Sequence, residues 1–475
     1  MQNQKPAPVP GGLIYHLYPL GTLGAPHERS PHDGSVAGAR TLRDAVEWVS
    51  YIRELGAAAV LLGPVFVSET HGYDVVDPYH VDPRIGNDDD LRALVDAFHE
   101  AGISVILDAV MNHVGRSFFA FRDVLAEGQA SPYASWFAGL DFSRNGPRGE
   151  PFAYETWDGH DSLVKLDVDE PGVSEYLLGA VDRWITVFGI DGLRLDAADV
   201  ISPSFWPKLR HLVDELYHPP VPYRFGNGRF WMVGEIVHGD YRTITGPEAL
   251  DGATNFECYK GLYSSFNDGN FFEIAWSLNR LFGDEGIYAG LSLLNFVDNH
   301  DVPRIASTLD DPSDLYPLHL LLFTIPGFPA IYYGSEVGIP GTKGVDDWPL
   351  RPALRPARIT GQGEADGDQV PHPDLLNTIV RLNGIRDRSA ALREGSYRQV
   401  FVDHRLLAFR RDADTETILV VVNSDDGPQR FTPESRISGV DLLNDAETVL
   451  PDSGAPDGAI VIPPKWGRII RIDDA

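Results

Sequence analysis

The chain has 475 residues, 43% apolar and 23% charged, with a formal net charge of -30. That length holds a large single-core domain plus one or two smaller ones. The acidic balance argues against nucleic acid or an anionic membrane as partner, and the lone Cys258 excludes an internal disulfide.

The start, Met1 to Pro10, lacks the basic segment and apolar run of a signal peptide. No apolar run approaches the ~20 residues of a membrane span, so a cytoplasmic location is expected. Leu13 to Tyr18 is the first candidate strand. A helix is expected over 41–55, with Leu42, Ala45, Val46, Val49, Ile52 and Leu55 on one face. Ala57 to Leu62 reads as a strand stopped by Gly63-Pro64, Asp90 to Ala101 as a helix, and Ile103 to Leu107 as a third strand. Runs around Leu193, Trp231, Thr254, Leu294 and Ile331 complete eight βα units. The fold expected from them is α/β, a closed (β/α)8 barrel.

Between Asp108 and Arg194 the spacing far exceeds a βα connection. It is rich in Pro and Gly and carries aromatics that look exposed, Trp136, Tyr154 and Trp157. Most of it is expected to be an inserted domain forming one wall of a cleft, with a helix resuming over 173–188. Gly341 to Pro373 reads as a long loop, with Trp348 as a candidate sugar platform, and a helix is expected from Asp374 to Arg388. Beyond Arg393 short alternating strands imply an antiparallel β-sandwich. The expected division is 1–111 barrel, 112–170 insertion, 171–390 barrel, and 391–475 C-terminal β domain.

Three carboxylates, Asp196, Glu235 and Asp301, leave the ends of apolar runs. Buried charges are costly unless they serve a purpose, and parallel barrels put their chemistry at this edge. A close carboxylate pair suits hydrolysis of a glycosidic bond with retention, which needs a nucleophile and a general acid about 5–5.5 Å apart. Arg194, two residues before Asp196 on a strand, shares its face and favours its ionised form. Glu235, ordinarily near a pKa of about 4.3, must be raised to donate a proton near neutrality. Asp301 is left to stabilise positive charge at the anomeric carbon. His113 and His300 are read as sugar contacts. The competing metal reading lacks close ligand spacing, so no metal is expected. Tyr73 is placed to stack on a pyranose ring and Asp74 to bind a terminal hydroxyl. A structural turn is the alternative for this pair.

These stretches resemble the α-amylase family of retaining α-glucan-active enzymes. The matching motifs are GYDVVDPYHVDPRIG at 72–86, DAVMNH at 108–113, GLRLD at 192–196, VGE at 233–235, FVDNHD at 296–301 and GFPAIYYGSE at 327–336. The resemblance implies a barrel, a domain B after the third strand and an all-β domain C. It also implies Asp196 as nucleophile, Glu235 as acid/base and Asp301 as transition-state stabiliser, with Tyr73, His113, Arg194 and His300 around the sugar. The nearest look is to cyclomaltodextrinases, neopullulanases and maltogenic amylases, with cyclic maltosyl-maltose as one specific substrate. Those enzymes usually carry an N-terminal β domain that helps form a dimer. There is no room for one before Leu13, so a homodimer is expected to use another interface. Where many relatives have Lys-His, this chain has Asp199-Val200, so no calcium of the usual type, and no other cofactor, is expected. The partner is a small oligosaccharide. A transferase or isomerase using the same covalent intermediate, and a non-catalytic sugar-binding protein, are the competing functions.

Overall fold

Short apolar runs with a two-residue period set the frame. A computed structural model of the chain describes residues 12–30, 40–218, 228–361, 370–434, 437–444 and 459–473. The opening segment Met1 to Pro10 and residues 362–369 of the long loop lie outside them. Eight parallel strands close into a barrel: β1 (Ile14–Leu17), β2 (Ala59–Leu62), β3 (Ser104–Ala109), β4 (Gly192–Leu195), β5 (Trp231–Gly234), β6 (Gly252–Thr254), β7 (Ser292–Asn295) and β8 (Phe328–Tyr332), with β8 pairing back onto β1.

Alternation along these strands divides the core in two. Ile14, Ala59, Leu61, Ile106, Trp231, Val233, Leu294, Phe328 and Ala330 point inward and fill the barrel. Tyr15, Val60, Val105, Leu107, Leu193, Met232 and Ile331 point outward, under the helices. Two residues beyond Ile106 comes Asp108, and two beyond Val233 comes Glu235. The inward column therefore turns from apolar to charged at the carboxyl end of the strands.

Helices cover the outside. In Asp88–Glu100 the Asn87 side chain accepts from the amides of Asp89 and Asp90, and three aspartates occupy the first turn, where the helix dipole favours negative charge. Two expectations need correction. The first helix opens with a 3-10 turn, Asp44–Val46, before Glu47–Glu54. Three residues per turn rotate the buried face, so Trp48 and Tyr51 are buried while Val46 is exposed. The fifth βα unit has no full helix: between β5 and β6 the chain makes only the 3-10 turn Tyr241–Thr243. Gly239, Gly246 and Pro247 punctuate that connection and disfavour a longer helix.

After β3 the insertion begins with His113–Gly115, paired antiparallel with Leu163–Lys165. It has its own aromatic core around Phe121, Phe137, Phe152 and Tyr154. Tyr154, which reads as exposed in the sequence, is buried and donates to the Asp161 carbonyl at 3.2 Å. Trp136 packs on Tyr176 of the barrel helix Pro171–Arg183 and so ties the insertion to the barrel.

The C-terminal region forms a five-stranded antiparallel sheet with a two-stranded ribbon, Gln429–Phe431 against Ile460–Ile462. Leu406, Ala408, Leu419 and Val421 face the ribbon. Leu407, Phe409, Val420 and Val422 face the barrel core. Two buried arginines lie at the junction of sheet and barrel, and Arg411 bridges the two. Arg411 donates to the carbonyls of Thr324 (2.6 Å), Gly395 (2.9 Å) and Ser396 (3.2 Å), and Arg386 donates to those of Phe323 (2.9 Å) and Gly327. They satisfy carbonyls that the end of helix Leu315–Thr324 would otherwise leave unpaired. Among the described residues, no helix is long and apolar enough to cross a membrane.

Candidate active site

Strand register decides which side chains meet. Asp108 on β3 lies beside Arg194 on β4, which lies beside Val233 on β5. One step on, the Asp196 amide donates to the Ala109 carbonyl at 3.0 Å and the Glu235 amide to the Leu195 carbonyl at 2.8 Å. The ladder thus delivers Asp108, Arg194, Asp196 and Glu235 to one mouth of the barrel.

Arg194 is the hub and is 3% exposed. Its Nη1 donates to Asp108 at 2.8 and 2.9 Å and to Asp196 Oδ1 at 3.2 Å, while its Nη2 pairs with Glu235 Oε1. After Asp196 the backbone passes through Ala197 with φ +46°, an uncommon conformation for a residue other than glycine. The Ala197 amide reaches Glu235 Oε2 at 3.3 Å.

Tyr73 arrives from the turn before Val75–Val81. Its hydroxyl donates to Asp108 Oδ2 at 2.7 Å and touches His300 Nε2, and its ring stacks on His300 with centroids 5.2 Å apart. His300 Nε2 lies 2.7 Å from Asp301 Oδ2. The buried His113 Nε2 stands 3.9 Å from Asp196 Oδ2, too far for a hydrogen bond. Asp74 is apart from this network. Its two carboxylate oxygens accept from the Thr70 amide (3.0 Å) and hydroxyl (2.6 Å).

Burial pushes Asp196 well above the usual carboxylate range. Arg194 opposes this, and Glu235, Asp108 and Asp301 add to it. Burial likewise raises Glu235 against the pull of Arg194, with Asp301 adding to the rise. The guanidinium expected to hold Asp196 ionised is therefore outweighed by burial, to which the neighbouring carboxylates add. Asp196 and Glu235 titrate together rather than singly. Asp301 differs: burial would raise it, but His300, Arg351 and Arg194 outweigh burial and hold it well below the usual range. Burial lowers the His113 imidazole to about 3 and so keeps it neutral.

Three contributors escape the sequence reading. Asp108 stands in the sequence only as the first residue of the DAVMNH motif, although its inward position two residues after Ile106 marks it for the centre. Tyr18 donates to the His71 carbonyl, and Arg351 donates to its hydroxyl at 3.1 Å. Arg351, from the loop after β8, also donates to Asp301 Oδ1 at 3.0 Å and to the His300 carbonyl at 3.1 Å. No period or motif signals a single arginine in a Pro- and Gly-rich loop.

The chain matches, over residues 28–370, the family model described as the α-amylase catalytic domain. A cyclomaltodextrinase of a Bacillus species is 31% identical over 438 residues, 89% of this chain and 74% of that protein. Neopullulanase 2 of Thermoactinomyces vulgaris is 31% identical over 407 residues, 83% of this chain and 64% of that protein. Among solved structures, a cyclic α-maltosyl-(1→6)-maltose hydrolase from Arthrobacter globiformis superposes with a TM-score of 0.77 at 23% identity, over 98% of this chain and 99% of that one. At that identity the likeness is one of fold.

Proposed function

The chain belongs to the α-amylase family of glycoside hydrolases, and on that premise we propose that it hydrolyses α-1,4 bonds in short, cyclic or branched maltooligosaccharides with retention of configuration. Asp196 attacks the anomeric carbon while Glu235 protonates the departing glycosidic oxygen. The resulting glycosyl-enzyme is then opened by a water that Glu235 deprotonates. Asp301, kept ionised by His300 and Arg351, faces the positive charge that develops on the sugar. Tyr73, His113, Arg194 and His300 surround that ring.

One observation carries this reading: Asp196 and Glu235 sit on the two terminal nitrogens of one guanidinium. Such a bridge favours the roughly 5–5.5 Å separation of retaining enzymes over the roughly 6.5–9.5 Å gap that admits an inverting water. The relatives' names, cyclomaltodextrinase and neopullulanase, support small, cyclic or branched α-glucans as the substrate class. The reading includes no calcium. The Asn112 backbone carbonyl accepts from the Leu166 amide, and Val200 has no side-chain donor atom to offer a cation. The cytoplasm is the compartment it assigns, which fractionation against a cytosolic marker tests.

The deciding experiment is a product profile on maltotriose, pullulan, a cyclodextrin and a branched cyclic tetrasaccharide, at low and high concentration. Release of short maltooligosaccharides at low concentration is expected. Cleavage of none of the four, or glycosyl transfer dominating even at low concentration, would overturn the reading.

A further inference from the structure

We infer that His27, stacked on Trp348, closes the glycon end of the cleft, so that the enzyme releases only short glycons from linear chains. The inference rests on the catalytic reading above, because that reading gives the cleft its direction. Glu235 protonates the leaving oxygen, so the departing chain runs toward β4 and β5. In the closed strand order, β8 and β1 stand across the barrel from that pair. The glycon therefore extends toward the loops after β8 and β1, past Arg351 and Tyr18.

At Arg351 those two loops line an open cavity of about 430 Å³, whose walls include Leu20, Ala25, His27, Trp348 and Pro352. That is near the lower end of the roughly 300–1,000 Å³ usual for ligand clefts. Trp348 is half-buried, and an indole face of this kind would be a natural platform for the next pyranose ring. The platform is taken. The His27 imidazole lies parallel to the indole, with centroids 4.0 Å apart and planes within 2°. The Arg351 guanidinium carbon lies 6.0 Å from the indole centroid, and the Tyr18 ring meets it edge-on at 6.5 Å. His27 thus stands where a sugar would stack, and Trp348 becomes a wall. Asp74, the sequence's candidate for binding a chain end, is tied to Thr70 and leaves this role open.

The test is hydrolysis of maltoheptaose in oxygen-18 water. Water adds to the new reducing end, so mass spectrometry distinguishes labelled glycons from unlabelled leaving chains. The wild-type chain should give short labelled products. In His27→Ala and in Trp348→Leu, the share of labelled products of maltotriose length or longer should rise about tenfold, the scale on which single pocket groups discriminate. Labelled products already long in the wild-type chain would overturn the inference, as would an unchanged distribution in both variants. Absence of any labelled product from the wild-type chain would instead overturn the catalytic reading.

Discussion

Replacing Arg194 with lysine keeps the charge and removes the bridge. The guanidinium serves Asp108 and Asp196 from one terminal nitrogen and Glu235 from the other. An ammonium has a single nitrogen and cannot occupy both places. At least one of the carboxylates then loses a charge-assisted hydrogen bond, worth about 1.5–3 kcal/mol. If that contact is felt in the transition state, kcat/KM falls by roughly 10- to 150-fold, since about 1.36 kcal/mol is a factor of ten. The pH profile supplies the sharper signature. Arg194 is the main group pulling Asp196 and Glu235 down against burial, so weakening it lets both rise. The acid limb, where the nucleophile must lose its proton, moves to higher pH. The basic limb, where the acid must keep its proton, moves the same way. Steady-state kinetics of Arg194→Lys on the preferred maltooligosaccharide reads both effects. A variant with wild-type kcat/KM, or with unshifted limbs, would refute the shared-guanidinium account.

Other perturbations follow from the same geometry. Asp196→Asn and Glu235→Gln should each lower turnover at least about 10³-fold, on the scale of losing a nucleophile or general acid, while unfolding stays cooperative; near-normal turnover in either would count against the assignment. Asp196 also carries a stability effect with a defined sign. Its folded pKa is raised, so the stability it contributes is present at low pH and is lost as pH rises through that pKa. Urea unfolding should accordingly show Asp196→Asn gaining on the wild-type chain as pH rises, and a constant difference would contradict this. A chelator should leave the melting temperature unchanged, and a substantial fall would reveal a structural cation. Arg411→Met should cost about 1–3 kcal/mol in denaturant unfolding, because it strands the buried carbonyls of Thr324, Gly395 and Ser396; activity per folded molecule should persist, and a loss below about 1 kcal/mol would show that other donors satisfy them.

Much of the frame was legible because barrel strands obey a short local rule. Apolar runs ending in Asp196 and Glu235 mark strand, direction and inward face at once, and the motifs along them share one mouth. The phase of the first helix was not legible, because a 3-10 start changes the angle per residue without changing composition. Nor was the missing helix between β5 and β6, where the outer layer depends on packing rather than on any local pattern. Asp74 and Tyr73 are neighbours in sequence, but only Tyr73 joins the network. The Asp74 carboxylate is held by Thr70 instead. Arg351 and His27 act through loops brought together by barrel closure, and nothing in their own sequence surroundings records that meeting. The shift of Asp196 shows a further limit. The pairing with Arg194 is readable from a two-residue spacing, but the competition of Asp108 and Glu235 for the same cation is a fact of register across three strands.

The central claim is that Asp196 and Glu235 work as a nucleophile and acid/base pair across one anomeric carbon. Proton NMR of the first product, recorded before mutarotation equilibrates the anomers, tests it most directly. The account predicts that the newly formed reducing end appears first as the α anomer. A β anomer at early time would mean a single displacement by water and would contradict it.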